Sequence, residues 1–216
     1  MKNPSHWAET KTFFPLLIEQ LEQREKVGRA CIVGASDGKF VLPLARRDWK
    51  VTALDVDETA LKGGPIEFPK GNLTQSVGLL GRLQSCHLDH LVEIILGDLY
   101  EFAPQQMFDV IFTSCSWHYS RNHHRPLRDF VHRMQQVVAH GGIFCAEYMM
   151  PVEAKHFLSE HYLHEGQLRQ YFPSDEWQIL EEFYTSPFCE KAHIGNLADH
   201  VHRMGFFMAK RIAPLA

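Results

Sequence analysis

The fold of this chain is decided by two stretches, Ala30-Cys-Ile-Val-Gly-Ala-Ser-Asp-Gly-Lys-Phe40 and Val51-Thr-Ala-Leu-Asp55. Each begins with an apolar run that is typical of a buried strand, and the first leads through Gly34 and Gly38 into the start of a helix. Glycines let the backbone approach a ligand closely, and a helix start offers it free N–H groups. Asp55 ends the second strand, where a carboxylate can accept hydrogen bonds from ribose hydroxyls. The two stretches therefore predict a site for a nucleotide-like cofactor.

Strands and helices alternate along most of the remaining chain. Apolar periodicity predicts an N-terminal helix over Trp7–Leu21, with Ser5 as a candidate N-cap. Further elements are predicted as a helix over Lys39–Arg46, a loop over Gly63–Gly71, a helix over Leu73–His87, strands over Leu91–Leu96, Asp109–Ser114 and Ile143–Tyr148, a helix over Pro126–Val138, and helical stretches near Glu153–Glu160 and Gly166–Tyr171. This order predicts an α/β fold with a mainly parallel sheet and helices on both faces. Two late β-like runs, Trp177–Tyr184 and Gly205–Arg211, are expected to form an antiparallel pair at its C-terminal edge.

The length and composition predict one domain. The chain has 216 residues, of which 45% are hydrophobic and 22% charged, so it can bury one substantial core. We expect a single domain over residues 1–216. Within it, residues 1–28 form an N-terminal helix that could act as a lid, residues 29–150 a cofactor-binding core, and residues 151–216 a substrate-side extension.

The net charge of the chain and its cysteine content indicate which binding partners and which cellular compartment to expect. A formal net charge of −4 gives no chain-wide basic field, so nucleic acid is not expected as a partner, although a local patch over Arg121–Arg133 stays open. No apolar run is long enough to span a bilayer, and the N-terminus does not read as a signal peptide. Five widely spaced cysteines are typical of reduced thiols. We therefore predict a cytoplasmic protein, monomeric or homodimeric, with no membrane partner.

The motifs at the strand ends follow one another in a characteristic order over about residues 29–150. They are Gly34-x-x-x-Gly38, Asp55, Gly97-Asp98-Leu99, Phe108-Asp-Val-Ile-Phe112 and His140-Gly-Gly-Ile-Phe144. This series resembles that of the class I S-adenosylmethionine-dependent methyltransferases. The resemblance implies a Rossmann-like fold with a seven-stranded sheet and S-adenosyl-L-methionine as the cofactor.

The resemblance also implies roles for individual residues. The methionine and ribose would be contacted by backbone atoms of Gly34, Ala35, Ser36 and Gly38. The ribose hydroxyls would be bound by Asp55 with Val56, and the adenine by Asp98 and Leu99. Ser114 and Ser116 would border the sulfonium. Two positions depart from the family. Ile32 stands where an acidic residue is usual, and Ser36 where a middle glycine is usual. Asp37 lies close enough to replace part of the missing charge.

A second, shorter likeness covers about residues 165–211. The run Leu163-His-Glu-Gly-Gln-Leu-Arg-Gln-Tyr-Phe172, followed by Trp177-Gln-Ile-Leu180 and a late strand ending at Arg211, is similar to the end of the tellurite-resistance methyltransferase family. Members of that family are small and act on small, often soft nucleophiles. This likeness favours a thiol or another chalcogen as the acceptor.

The acceptor side of the site is predicted from residues beyond the fourth strand and near the C-terminus. His118 is the candidate base and Tyr119 a candidate partner, because ligands of parallel sheets lie at the carboxyl ends of the strands. The candidate pocket residues are Trp7, Trp117, His193, His202 and Arg203. Each could instead be an ordinary packing or loop residue. No metal site is predicted, because the spacings of His123, His124, His193, His200 and His202 match no compact zinc signature.

Several functions fit these observations. The first is methyl transfer to a small-molecule thiol or chalcogen, and the second is O- or N-methylation of a small metabolite. A nicotinamide-dependent oxidoreductase is a third, although Phe40 stands where a further glycine would be expected. A non-catalytic cofactor-binding protein is the fourth, because Ile32 and Ser36 depart from the family pattern.

Overall fold

One seven-stranded sheet forms the centre of the structure, a computed structural model that describes residues 4–68, 71–194 and 198–213. The described strands, in chain order, are β1 (Arg29–Val33), β2 (Lys50–Asp55), β3 (Gly64–Phe68), β4 (Asn72–Ser76), β5 (Val92–Leu96), β6 (Phe108–Ser114), β7 (Val138–Met149), β8 (Trp177–Tyr184), β9 (Phe188–Glu190), β10 (His200–His202) and β11 (Met204–Arg211). The described α-helices are α1 (Phe14–Glu22), α2 (Val41–Ala45), α3 (Glu58–Lys62), α4 (Gly78–Ser85) and α5 (Leu127–Gln136).

The sheet has the order β5-β2-β1-β6-β7-β11-β8. The first five strands in this order are parallel, and β11 runs antiparallel to both β7 and β8. The chain moves outward from β1 through β2 to β5 and then crosses to β6 on the other side of β1. Strand order therefore reverses between β1 and β6, and the carboxyl ends of the strands flank a crevice there. The predicted mainly parallel sheet with an antiparallel edge pair is confirmed.

Two apolar clusters cover the two faces of the sheet. Ile32 lies in the cluster that joins α1, α2, α3 and α4 to one face, whereas Cys31 and Val33 lie in the cluster that joins α5 to the other. Because neighbouring residues of a strand point to opposite faces, a strand buried on both sides is mostly apolar in its buried part. This constraint explains the apolar run at residues 30–33 of β1.

The N-terminal helix is shorter than predicted. It begins at Phe14, not at Trp7, and Pro15 occupies its first turn, where a missing N–H group is tolerated. Ser5 is not its N-cap, because its hydroxyl donates to the carboxylate of Asp37 at 2.7 Å. Residues 4–13 instead form turns and irregular backbone, which we call the N-terminal strap.

The region after α3 also differs from the prediction. The expected loop over Gly63–Gly71 contains β3, which pairs antiparallel with β4; Pro69 and Lys70 lie outside the described residues. The expected helix over Leu73–His87 starts only at Gly78, which has φ +63°. A Cβ atom there would lie 2.3 Å from the backbone nitrogen of Gly63, so only glycine fits this crossing. The left-handed backbone at Gly78 prevents one continuous helix.

The C-terminal part contains short elements. The predicted helical stretches are 3₁₀ turns at Ala154–Leu158 and Leu168–Tyr171. Strands β9 and β10, which were not predicted from the sequence, pair antiparallel and place His200 opposite Glu190. No helix among the residues that the structure describes is long and apolar enough to cross a bilayer.

Candidate functional site

A cavity of about 560 Å³ opens at the carboxyl ends of β1, β2 and β6. The N-terminal strap and the β9–β10 hairpin contribute to its wall, together with the glycine turn after β1. Its volume lies within the range of roughly 300–1,000 Å³ that is common for small-molecule sites. The cavity therefore occupies the position at which parallel α/β sheets bind their ligands.

The turn after β1 approaches the rest of the site very closely. Gly34 has φ +74°, and a Cβ atom there would lie 2.8 Å from Cβ of Ser116. Glycine is therefore required at this position, and its backbone leaves a cradle for a ligand. Ser36 also adopts positive φ, +47°, which is unusual for a residue with a side chain.

Asp55 holds this turn in place. Its Oδ2 accepts a hydrogen bond from the amide of Ser36 at 2.7 Å, and its Oδ1 accepts one from the amide of Asp57 at 2.9 Å. Burial raises the pKa of Asp55 above its ordinary value, while these two amide hydrogen bonds act in the opposite direction. The carboxylate lies on the cavity wall, as the sequence analysis requires of a ribose-binding group.

Most of the predicted site residues lie around this one cavity. They are Trp7, Gly34, Ala35, Ser36, Asp55, Val56, Asp98, Leu99, Ser114, Ser116, His118, Tyr119, His193 and His202. They come from strand ends, from the strap and from the C-terminal hairpin. The structure thus brings together groups that are nearly two hundred residues apart in the sequence.

Three predicted site residues lie elsewhere. A Cβ atom on Gly38 would lie 2.4 Å from Leu79, so this glycine permits close packing between the turn and α4. Trp117 is fully buried, with its ring 6.0 Å from Phe130 and 5.8 Å from Tyr148. Arg203 donates to the carbonyl of Thr185 at 3.0 Å and forms an ion pair with Glu165. Their positions indicate packing and structural roles.

The strap is fastened directly to the glycine turn. The amide of His6 and the hydroxyl of Ser5 both donate to Asp37 at 2.7 Å, and the indole Nε1 of Trp7 donates to Ser36 Oγ at 2.9 Å. Asp37 therefore binds the strap, and does not line the cavity as a replacement for the missing acidic residue. The hydroxyl of Ser36, which stands where the family has glycine, gives the strap a second attachment point.

A buried glutamate fastens the other end of the strap. Glu147 on β7 accepts hydrogen bonds from the hydroxyl of Thr12 at 2.7 Å and from the amide of Phe13 at 3.1 Å. Its side chain is fully buried, and this burial raises its pKa to about 7 despite the two hydrogen bonds. Lys39, which the sequence analysis missed, lines the cavity and donates from Nζ to the carbonyl of Thr10 at 2.8 Å.

The acceptor side of the cavity contains a neutral histidine and an inert thiol. Burial lowers the pKa of His118 to about 4, so its imidazole is uncharged at neutral pH. Its ring lies 4.4 Å from that of Tyr119, and its buried Nδ1 has no hydrogen-bond partner among the described residues. Burial raises the pKa of the Cys115 thiol, which keeps it protonated and unreactive.

The β9–β10 hairpin brings four potential metal ligands together. One ligand atom each from Glu190, His193, His200 and His202 lies within 4.8 Å of the other three. Burial would raise the pKa of Glu190, but hydrogen bonds from His202 and from the amide of Lys11 outweigh it and hold the pKa at about 2. Spacing along the chain does not indicate this convergence, because it is created by the pairing of β9 with β10.

These features define a Rossmann-like protein with a site for a nucleoside cofactor. A family model described as "Methyltransferase domain" matches residues 32–146, more than half of the chain, and the chain belongs to that family. It is an S-adenosylmethionine-dependent methyltransferase of class I, as the motif series implies. S-Adenosyl-L-methionine fits the residues present, because Gly34 and the carboxyl residues Asp55 and Asp98 line the same cavity.

Solved structures with low sequence identity share the fold. TehB from Haemophilus influenzae is 13% identical with a TM-score of 0.63, over 95% of this chain and 66% of that one. Magnesium protoporphyrin IX methyltransferase from Synechocystis PCC 6803, with bound S-adenosylhomocysteine, is 12% identical with a TM-score of 0.62, over 92% and 80%. A structure described by the conversion of a disulfide bond into a thioacetal group during echinomycin biosynthesis is 14% identical with a TM-score of 0.57, over 91% and 80%. A search of curated proteins found no match.

We expect Asp55→Asn to weaken cofactor binding. The amide keeps one acceptor for the turn but removes the charge that would hold two ribose hydroxyls, and charge-assisted hydrogen bonds contribute about 1.5–3 kcal/mol each. The dissociation constant for S-adenosylhomocysteine, measured by calorimetry, should rise roughly 10- to 100-fold. Asp175→Asn, at an exposed position before β8, is the matched control. Equal affinities in both variants would contradict this role of Asp55.

Glu147 should make stability depend on pH. An ordinary glutamate has a pKa of 4.5, whereas folding raises that of Glu147 to about 7, so the unfolded chain releases this proton first as pH rises. The stability from neutral Glu147 is therefore fully present below pH 4.5 and is lost as pH rises through about 7. Urea denaturation should show wild type losing on the order of 3 kcal/mol relative to Glu147→Gln between about pH 5 and pH 8.

The control for this measurement is Glu25→Gln, an exposed position after α1. It should follow the wild-type curve at every pH. A constant difference between wild type and Glu147→Gln across the whole range would show that Glu147 does not change its protonation state there.

Proposed function

We propose that this methyltransferase acts on a small-molecule nucleophile that binds in the cavity between the glycine turn and the β9–β10 hairpin, with a thiol or another chalcogen as the acceptor atom. The observation that carries the proposal is the strap, part of which lines the cavity. Its attachments to Ser36, Asp37 and Glu147 hold it in the wall of a partly open cavity of about 560 Å³, which has to take both cofactor and acceptor. Such a site suits a small acceptor better than a macromolecule.

The choice of acceptor atom rests on two resemblances. The C-terminal sequence resembles that of the tellurite-resistance methyltransferases, and TehB is among the structures that share the fold. Another of these structures is described by sulfur chemistry, the conversion of a disulfide into a thioacetal. Both favour a soft nucleophile. Oxygen and nitrogen acceptors remain the alternative.

The reaction is an in-line displacement at the methyl carbon. A lone pair of the acceptor forms the new bond to carbon, the bond between carbon and the sulfonium sulfur breaks, and its electron pair stays on sulfur as S-adenosylhomocysteine forms. Because the donor is already activated, the protein chiefly aligns the reacting atoms and excludes water. The cofactor would be held by the Gly34 turn, Asp55 and Asp98, and the sulfonium would lie near Ser114 and Ser116.

The acceptor must also lose a proton. His118 lines the cavity, and burial keeps its imidazole neutral, so it can accept that proton. A pKa of about 4 makes it a weak base, however, and general-base catalysis is most effective when the pKa of the base is near the working pH. An acceptor with a high pKa would therefore benefit from a second activating group.

The proposal is tested by incubating the full chain with methyl-labelled cofactor and a panel of thiols, selenols, alcohols and amines of matched size. Mass spectrometry should find the label on thiols or selenols, and Asp55→Asn should reduce the yield. Labelling of amines or alcohols alone would overturn the acceptor atom. Labelling of RNA but of no small molecule would overturn the whole proposal.

We expect His118→Asn to reduce turnover while leaving cofactor affinity unchanged. Loss of a general base lowers kcat by roughly 100-fold or more when the acceptor is protonated. Above the pKa of the acceptor the nucleophile is already an anion, so the rates of variant and wild type should converge as pH rises. Initial rates from pH 6 to pH 10, about the range that spans a thiol pKa, check this. His132→Asn, an exposed residue of α5, is the control. A deficit that is the same at every pH would contradict the role of base.

A further inference from the structure

The cluster on the β9–β10 hairpin has the chemistry of a metal site. His200 and His202 are two residues apart on β10 and therefore share one face of the strand, and Glu190 lies opposite His200 on β9. His193 comes from the segment between the two strands. Three imidazoles and one carboxylate are ligands that zinc and neighbouring divalent transition metals bind well.

The ligand atoms converge on a single point. The Nε2 atoms of His193, His200 and His202 lie 3.3, 3.8 and 3.1 Å from Oε2 of Glu190. Ligands around a tetrahedral zinc, at about 2.0–2.2 Å from the metal, are roughly 3.4 Å from one another. The Nε2 atoms of His200 and His202 are closer, at 2.6 Å. To bind one cation, these two nitrogen atoms would have to move apart by less than about 1 Å.

The opposite ring nitrogens of His193 and His200 are anchored in the way that is common for metal-binding histidines. Nδ1 of His193 lies 2.5 Å from the carbonyl oxygen of Ile194, and Nδ1 of His200 lies 2.8 Å from that of Ala198. A carbonyl oxygen only accepts, so both Nδ1 atoms carry hydrogen, and in the neutral rings both Nε2 atoms present lone pairs to the centre of the cluster. The other carboxylate oxygen of Glu190 accepts from the amide of Lys11 at 2.9 Å.

One nitrogen of the cluster is left unsatisfied. Nε2 of His193 is buried and has no hydrogen-bond partner among the described residues, since with the hydrogen on Nδ1 both this nitrogen and the facing Oε2 of Glu190 can only accept. A buried polar atom without a partner is costly, and a bound ion is one of its ordinary explanations. The missing partner of Nε2 is therefore an observation in favour of a bound ion that does not depend on the distances between the ligand atoms.

All four residues line the same cavity as the glycine turn and Asp55. From this geometry we infer that Glu190, His193, His200 and His202 bind a divalent transition metal, with Zn²⁺ as the best match, and that this ion holds the methyl acceptor. Zinc expands to five ligands, so the acceptor atom can join the four protein ligands. The catalytic part of this inference rests on the proposed function, whereas metal binding itself does not.

Coordination to the metal would activate the acceptor in addition to His118, which is a weak base. A thiol bound to the metal releases its proton to His118 or to solvent and becomes a metal-held thiolate. The thiolate forms the bond to the methyl carbon as the sulfonium bond breaks, and the thioether product binds the metal more weakly than the thiolate. The metal changes neither charge nor oxidation state in this step.

Metal binding is tested on the untagged full chain after treatment with a chelator. Calorimetric titration with Zn²⁺ should give one ion per chain, whereas Mg²⁺, which prefers oxygen ligands, should not bind at this site. His202→Ala should weaken Zn²⁺ binding by about 100-fold or more, and the control His132→Ala should leave it unchanged. Absence of Zn²⁺ binding by the wild type, or equal binding by His202→Ala, would overturn the site.

A second variant and a second measurement guard against misfolding. His200→Gln removes a ligand with little change in volume, and S-adenosylhomocysteine affinity should be unchanged in both ligand variants if they fold. A variant that binds this product normally but has lost Zn²⁺ supports the site. A variant that binds both S-adenosylhomocysteine and Zn²⁺ normally would overturn the metal site.

The role of the metal is tested by methyl transfer. Chelation should reduce the rate with thiols at neutral pH by about 100-fold or more, and Zn²⁺ should restore it. Transfer that chelation does not reduce would overturn the role of the metal while the proposed function stands. Stoichiometric Zn²⁺ binding without transfer to any member of the acceptor panel would instead contradict the proposed function and the acceptor role, while the metal site stands.

Discussion

The carboxylate of Asp55 is the constraint on which the rest of the site depends. It joins the end of β2 to the turn after β1 through the amide of Ser36. Ser36 is held at positive φ, which costs a residue with a side chain about 1–2 kcal/mol, and a charge-assisted hydrogen bond of similar strength offsets that cost. The same turn presents the Gly34 cradle to the cavity and the Ser36 hydroxyl to Trp7. One side chain thus positions both the wall of the cavity and its cover.

The sheet and the cofactor half of the cavity could be predicted from the sequence for a physical reason. The central parallel strands are buried on both faces, so β1 and β6 contain apolar runs at residues 30–33 and 110–112. The acidic side chains come at or just after the carboxyl ends of β2 and β5, where Asp55 and Asp98 line one cavity. In this part of the chain, the sequence pattern of each strand therefore also indicates where the residues that follow it lie in the fold.

The remaining features depend on contacts that no local pattern records. The apolar residues before Phe14 have helical spacing, but polar contacts with Asp37 and Glu147 hold them as a strap. The histidine cluster is assembled by pairing of β9 with β10, across a connection of nine residues, 191–199. The alternation of His200 and His202 is the one sequence signal that could have indicated it, since it places both on the same face of a strand.

The bond between Trp7 and Ser36 has a consequence for the order of events in turnover. The family resemblance implies that the methionine end of the cofactor binds the turn to which Trp7 is attached, and in that case the strap and the cofactor would each alter the affinity of the turn for the other by the same factor. A strap that strengthens cofactor binding would therefore be released more easily once the spent cofactor has left.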